Sequence, residues 1–300
     1  FAMEIKGRYG ETTSRLHAFQ AGTIQRLRDG VHRMKSGDNQ FFTDVITLSG
    51  NWMKDSSSIC MNRDIAVVIG VFLLSLLGSS VGFSSFLYFV SVGYGASIGI
   101  IAAVVMIRSN CYSNKPVAGL ANLHTLMTLL WSVRLIGFLL HREFINWPQW
   151  HLKLRDVNER ATAQSKIAIW LTCASFYSLM MLPCVYRLTK ETTWGIVGKF
   201  GICLQGIGLV LESVADYQKG RFKKEEGNRH RFCNVGIWNY FTHPNYLGEM
   251  IFWFGNWLGG IGGYSSILEW TLSTAGLFFV LVVMKGAIDS LSSKHLRNYG

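Results

Sequence analysis

The segment His243-Pro-Asn-Tyr-Leu-Gly-Glu-Met-Ile-Phe-Trp-Phe-Gly-Asn256 joins groups that can do chemistry to a composition suited to a bilayer. Pro244 fits the first turn of a helix, where its missing N–H costs nothing. In such a helix Asn245, Glu249, Trp253 and Asn256 recur at intervals of four, four and three and share one face. A carboxylate and two amides on one stripe of a lipid-embedded helix are costly unless they face a cavity or a ligand. A second stripe lies upstream in Leu211-Glu-Ser-Val-Ala-Asp-Tyr-Gln-Lys219, where Glu212, Asp216 and Lys219 are spaced four and three apart. Arg134 falls about two turns inside an apolar run that ends at Arg142. The helix start at His243 presents free N–H groups, a natural seat for phosphate. Acids for ribose hydroxyls, cations for phosphates and an apolar interior behind them suit a phosphorylated dinucleotide reaching into lipid. No Gly-rich Rossmann turn is present, so such binding would be of a non-Rossmann kind.

The elements that must position these groups read as membrane helices. Of 300 residues, 49% are hydrophobic and 16% charged, and several apolar runs reach the ~20 residues that cross a bilayer. Residues 65–107 carry no charge and exceed one span, so they divide near Gly78–Ser85. Further spans read as 117–140, 167–186, 200–215, 237–260 and 270–284. The expected fold is all-α: a multi-pass transmembrane helical bundle of about seven spans, residues 65–300, preceded by an N-terminal extra-membrane extension, residues 1–64. The net charge of +11 invites a nucleic-acid partner. Its placement argues against one, because the cations gather in alternate loops as the positive-inside bias requires. Loops 141–166 and 216–235 and the segment after 284 are basic, which sets that side toward the cytosol, matrix or stroma. The six Cys and eight His residues are dispersed without metal-ligand spacing, so no metal site is expected.

In the extension, Leu16, Phe19, Ile24, Leu27 and Val31 suggest a weakly amphipathic helix or a segment that docks on other subunits of a membrane complex. A start at Phe1 leads one to expect a piece removed or missing upstream, a cleaved organellar targeting peptide being one explanation and a truncated sequence the other. An organellar membrane, plastid or mitochondrial, is therefore expected, with the endoplasmic reticulum as the alternative. Trp238, Trp253, Trp257 and Trp270 read as a set that includes interfacial anchors. Pro183 reads as a loop or span end, and Met180 and Met181 as core packing.

Over roughly residues 115–300 the chain resembles the steroid 5-alpha-reductase C-terminal-like membrane proteins. The resemblance rests on Leu130-Trp-Ser-Val-Arg-Leu135 with Arg142, Ala215-Asp-Tyr-Gln-Lys219, Asn228 through Phe232, Gly236-Ile-Trp238 and His243-Pro-Asn-Tyr-Leu-Gly-Glu249. It implies a bundle of about seven helices that binds NADPH and delivers hydride to a conjugated carbon–carbon double bond of a lipid-like substrate. Carried over by motif, Asp216 and Lys219 contact the nucleotide, and Asn245, Tyr246 and Glu249 line the cofactor cavity. Glu212, His243, Arg134 and Arg142 join them as cofactor-binding candidates by pattern. Tyr246 and Glu249 are the catalytic candidates, with Tyr88 or Tyr94 as other phenols able to serve the carbonyl oxygen.

Three departures stand out. Thr242 occupies the place where many relatives keep Arg before His-Pro-Asn-Tyr, and Trp131 stands where steroid reductases place Tyr. Residues 65–142 contain no Asp or Glu. The expected function is an NADPH-dependent reductase of a lipophilic enone, isoprenoid or sterol-like. One alternative is a non-catalytic subunit of a larger organellar membrane complex. Another is a carboxyl methyltransferase of the isoprenylcysteine type, against which Ala215-Asp-Tyr-Gln-Lys219 speaks.

Overall fold

The computed structural model describes residues 63–111, 119–143, 150–190, 195–228 and 231–299. Apart from its last two residues, the 1–64 extension lies outside them. Among the described residues eight α-helices follow one another: α1 Arg63–Ser79, α2 Val92–Cys111, α3 Gly119–His141, α4 Trp150–Arg160, α5 Ala163–Thr189, α6 Ile196–Lys224, α7 Pro244–Gly260 and α8 Ile267–Tyr299. Among the described residues there is no strand. Short 3-10 turns at Ser80–Phe83 and Phe86–Val90 join α1 to α2, so the uncharged run divides where the sequence predicts.

Among the described residues six helices, α1 with its following turn, α2, α3, α5, α6 and α8, are long and apolar enough to cross a membrane. The expected span 237–260 is shorter than the sequence suggests. Its first seven residues form the turn Gly236–Asn239 and a bend, and α7 begins only at Pro244, whose ring cannot extend a helix toward its N-terminus. The 17 residues of α7 rise about 25 Å. The bundle is inside-out with respect to water. Phe200, Val210 and Phe278 are 57%, 63% and 62% exposed, whereas Glu212, Gln205 and His124 are at most 3% exposed. Such an apolar exterior over a polar interior needs lipid around it.

Small residues set the helix spacings. A Cβ on Gly78 would lie 2.5 Å from Ser97 Cα, so α1 and α2 nearly touch. The antiparallel α6–α7 pair is closest of all. Gly201 and Gly208 of α6 face Gly259 and Phe252 of α7, and added Cβ atoms would stand 2.4 Å from the backbone nitrogens of those two residues. Gly255 meets Gln205 N at 2.4 Å in the same way. This is the small-residue packing of membrane helices, in which backbones approach because no side chain intervenes.

Pro183 lies inside α5, not at its end. Its missing N–H leaves the Leu179 carbonyl without its helical donor. Gly276 of α8 comes against that carbonyl: a Cβ there would stand 2.6 Å from Leu179 O. The kink position is thus covered by a neighbouring glycine. Met180 and Met181 are fully buried on the same helix, as core packing requires.

Candidate functional site

The expected site residues collect at one end of the bundle, where α3 and α6 finish and α2 and α7 begin. Arg134 of α3 sits between the two acids of α6. Its Nη1 donates to Asp216 Oδ2 at 2.7 Å and its Nη2 pairs with Glu212 Oε1. The spacing of four between those acids therefore does what it implies: both reach one guanidinium. Trp131, one turn before Arg134, donates its indole N–H to Glu212 Oε2 at 2.8 Å. Glu212 is thereby held by two groups of a single α3 face. Arginine suits this role because its fork of donors can take two carboxylates at once.

Glu249 of α7 faces the same end. Its partner is neither Asn256 nor Arg134 but Tyr94 of α2, whose hydroxyl donates to Glu249 Oε1 at 2.9 Å. Tyr94 lies in an aromatic box: it stacks on Tyr177 at 4.9 Å and meets Trp131 edge-on at 5.0 Å. Trp131 in turn contacts Trp253 at 5.1 Å and stacks on Phe252 at 5.5 Å. Trp131 is thus the hinge of the site, touching both the acid cluster and the box. A Trp131→Phe protein keeps one aromatic ring and loses the pyrrole half of the indole with its N–H. We expect it to be less stable by at least about 1.5–3 kcal/mol, the worth of a hydrogen bond to a charged group, with the space vacated at this fully buried position adding to the loss, as read from thermal unfolding in detergent.

The remaining expected residues form the rim. Arg142 is exposed, its guanidinium 5.9 Å from the Phe138 ring. His243 is the residue before α7, but its side chain does not cap that helix; its Nε2 bonds Ser292 Oγ of α8 at 3.0 Å. Tyr246 lies edge-on to His243 with ring centroids 6.0 Å apart, so the phenol that reaches Glu249 is that of Tyr94. The Oδ1 of Asn245 is buried and accepts no hydrogen bond, and the Nε of Arg134 is buried and donates none. Thr242 is exposed.

The pairing of Ala215-Asp-Tyr-Gln-Lys219 with Gly236-Ile-Trp238 has a packing explanation. Gly236 adopts φ +56°, the left-handed region that glycine enters without strain. The turn it makes lets Ile237 N donate to Gln218 Oε1 at 3.0 Å and Trp238 Nε1 donate to the Ala215 carbonyl at 3.0 Å. Lys219 lies over the Trp238 ring at 4.7 Å. Trp238 and Trp253 are 3% and 2% exposed, so they belong to the interior and not to an interfacial belt.

A family model described as a protein of unknown function (DUF1295) matches residues 84–300. The chain belongs to that family. Neither the curated proteins nor the solved structures yield a match. The DUF1295 region takes in every group of the site and leaves out α1. It also includes a carboxylate that the sequence reading passed over. Glu143, just beyond α3, is buried, and Tyr88 from the turn Phe86–Val90 donates to its Oε1 at 2.5 Å. Burial, then the neighbouring carboxylate, hold the Tyr88 hydroxyl well above its usual range, so it remains a donor at neutral pH. Tyr177 donates to the Phe89 carbonyl at 2.8 Å, so this same turn is tied both to the end of α3 and to the aromatic box.

Proposed function

We propose that this DUF1295 chain is a membrane-embedded NADPH-dependent reductase of a lipophilic enone, isoprenoid or sterol-like. The observation that carries the proposal is the Tyr94–Glu249 pair set beside the Arg134–Glu212–Asp216 cluster at a bundle end walled by aromatic rings. The motifs that resemble the steroid 5-alpha-reductase C-terminal-like proteins run through the same residues. The donor set fits a polar dinucleotide, because Asn245 Oδ1 and Arg134 Nε are buried groups still short of a partner. Asp216, Lys219, Asn245, His243 and Arg142 would hold it, with Glu212 and Arg134 behind them. NADPH supplies hydride when bound. The chain's own part is to steady the enone oxygen and deliver a proton. Tyr94 turns its hydroxyl toward that oxygen, and Glu249, at hydrogen-bond distance, returns a proton to the phenol. The aromatic box excludes water from the exchange.

The test uses the full chain in detergent. Titrated NADPH is expected to quench tryptophan fluorescence saturably, and a panel of lipophilic enones should reveal one whose addition oxidises it. A protein that does not bind NADPH sinks the proposal. Tyr94→Phe is expected to lower turnover by roughly 10²–10⁴-fold while leaving NADPH affinity near its starting value.

One observation favours the non-catalytic subunit instead: the charge of Arg134 is already compensated by the two acids of α6. A reductase-like fold retained for assembly, with residues 1–64 as its docking segment, would need no more. Blue-native electrophoresis separates the readings. Migration only as free protein or a small homo-oligomer counts against assembly.

A further inference from the structure

A second polar cluster lies deeper in the bundle, and its residues match the site residues helix by helix. His124 precedes Trp131 by seven residues on α3, Gln205 precedes Glu212 by seven on α6, and Asn256 follows Glu249 by seven on the antiparallel α7. Two polar layers are therefore stacked about 10.5 Å apart along the helices. In the lower one Asn256 is the hub. Its Nδ2 donates to the Met180 carbonyl at 3.0 Å, which fixes the amide so that Oδ1 is the acceptor. That Oδ1 receives Cys184 Sγ at 2.9 Å and His124 Nε2 at 3.0 Å, so His124 carries its proton on Nε2. Gln205 Nε2 donates to Thr128 Oγ1 at 3.0 Å, and Thr128 lies 3.3 Å from Cys184 Sγ. All five side chains are at most 1% exposed. Ala, Leu or Val could fill such positions without the cost of burying polar groups.

The α6–α7 contact supplies the reason for a device of this kind. The face that α7 turns to α6 is made of Gly248, Phe252, Gly255 and Gly259. A glycine face allows close approach but has few knobs to stop one helix from rotating or sliding on the other. Asn256 lies one residue beyond Gly255, just as Glu249 lies one beyond Gly248, so one rotation of α7 sets both polar residues. Hydrogen bonds from Asn256 to two other helices, α3 and α5, fix that rotation, as a single buried Asn fixes register in a coiled coil.

We propose that Asn256, with His124 and Cys184, is a positioning layer that fixes the rotation of α7 so that Glu249 faces Tyr94. The proposal rests on the reductase reading only in naming what the pair is for; the coupling between the layers is independent of it.

Infrared spectroscopy of the full chain in detergent reads that coupling directly. The Glu249 carboxyl absorption is assigned by its loss in Glu249→Gln, and its response to hydrogen bonding is calibrated with Tyr94→Phe. Asn256→Leu is expected to elute as the native protein does while its Glu249 absorption shifts to the Tyr94→Phe position. If Asn256→Leu does not fold, the His124 pair decides. His124→Leu should shift the absorption, and His124→Gln, which still donates to Asn256, should restore it. An unshifted Glu249 absorption in folded Asn256→Leu, or in both His124 variants, overturns the proposal. Failure of the unsubstituted chain to bind NADPH, with the shift seen in Asn256→Leu, overturns the reductase reading alone.

Discussion

Arg134→Leu is expected to cost about 3–5 kcal/mol, because it strands Glu212 and Asp216 in the bundle interior without their counter-charge. Both acids are less than a tenth exposed, and Arg134 pairs with each of them. Trp131 still donates to Glu212, but one neutral N–H does not replace a guanidinium. The decisive comparison is the triple substitution Arg134→Leu, Glu212→Gln, Asp216→Asn, which removes cation and anions together. If pairing alone is at stake, the triple variant should unfold at a clearly higher temperature than the single one. Equal melting temperatures would mean that the guanidinium stabilises by packing and not by charge. Under the reductase proposal the triple variant is stable yet no longer takes up NADPH, which separates the structural role of the cluster from its functional one.

The second large effect belongs to Gly208. In Gly208→Ala the new methyl would lie 2.4 Å from Phe252 N and 2.6 Å from the Gly248 carbonyl, both backbone atoms that no rotamer change can move. The helices must separate, at a cost of about 1–3 kcal/mol. Separation also moves α7 relative to α2, so the Tyr94–Glu249 bond should weaken in the same protein. Gly70→Ala in α1 is the control, since nothing lies within 4 Å of its would-be Cβ. There alanine is expected to be neutral or to stabilise by up to about 1 kcal/mol through helix propensity. Opposite signs for the two substitutions in thermal denaturation would verify the reading; a tolerated Gly208→Ala would contradict it.

Much of the frame is legible in the residues alone because lipid imposes a simple rule. Uncharged runs of sufficient length announce helices, and the four–four–three recurrence in α7 announces an inward polar stripe. Partner choice is less legible. Arg134 and Asp216 are 82 residues apart, and nothing local says that an arginine so placed clasps two acids of another helix. Trp131 reads from sequence as a departure from relatives, whereas its N–H is what holds Glu212. Lys219 reads as a nucleotide contact by motif, but that it lies over the Trp238 ring, and that Gln218 beside it braces the Gly236 turn, is written nowhere in the local sequence. His124, Cys184 and Gln205 do not announce a shared layer, because single polar residues in apolar runs carry little signal. The seven-residue offsets from Trp131 and Glu212 were present in the sequence all along. They acquire meaning only once the acids are known to share a layer.

α7 presents two neighbouring stripes governed by opposite rules of replacement. Along Gly248 and Gly255 the limit is size, and polarity is secondary because backbone lies directly opposite. Along Glu249 and Asn256 the limit is hydrogen-bonding pattern, and a side chain of equal volume with the wrong donors is no substitute. A saturation library of this one helix should therefore sort into two interleaved tolerance profiles with the same periodicity, one residue out of phase. Drift in either stripe alone is blocked by the other, so the His-Pro-Asn-Tyr-Leu-Gly-Glu segment is held as a unit by two unrelated constraints.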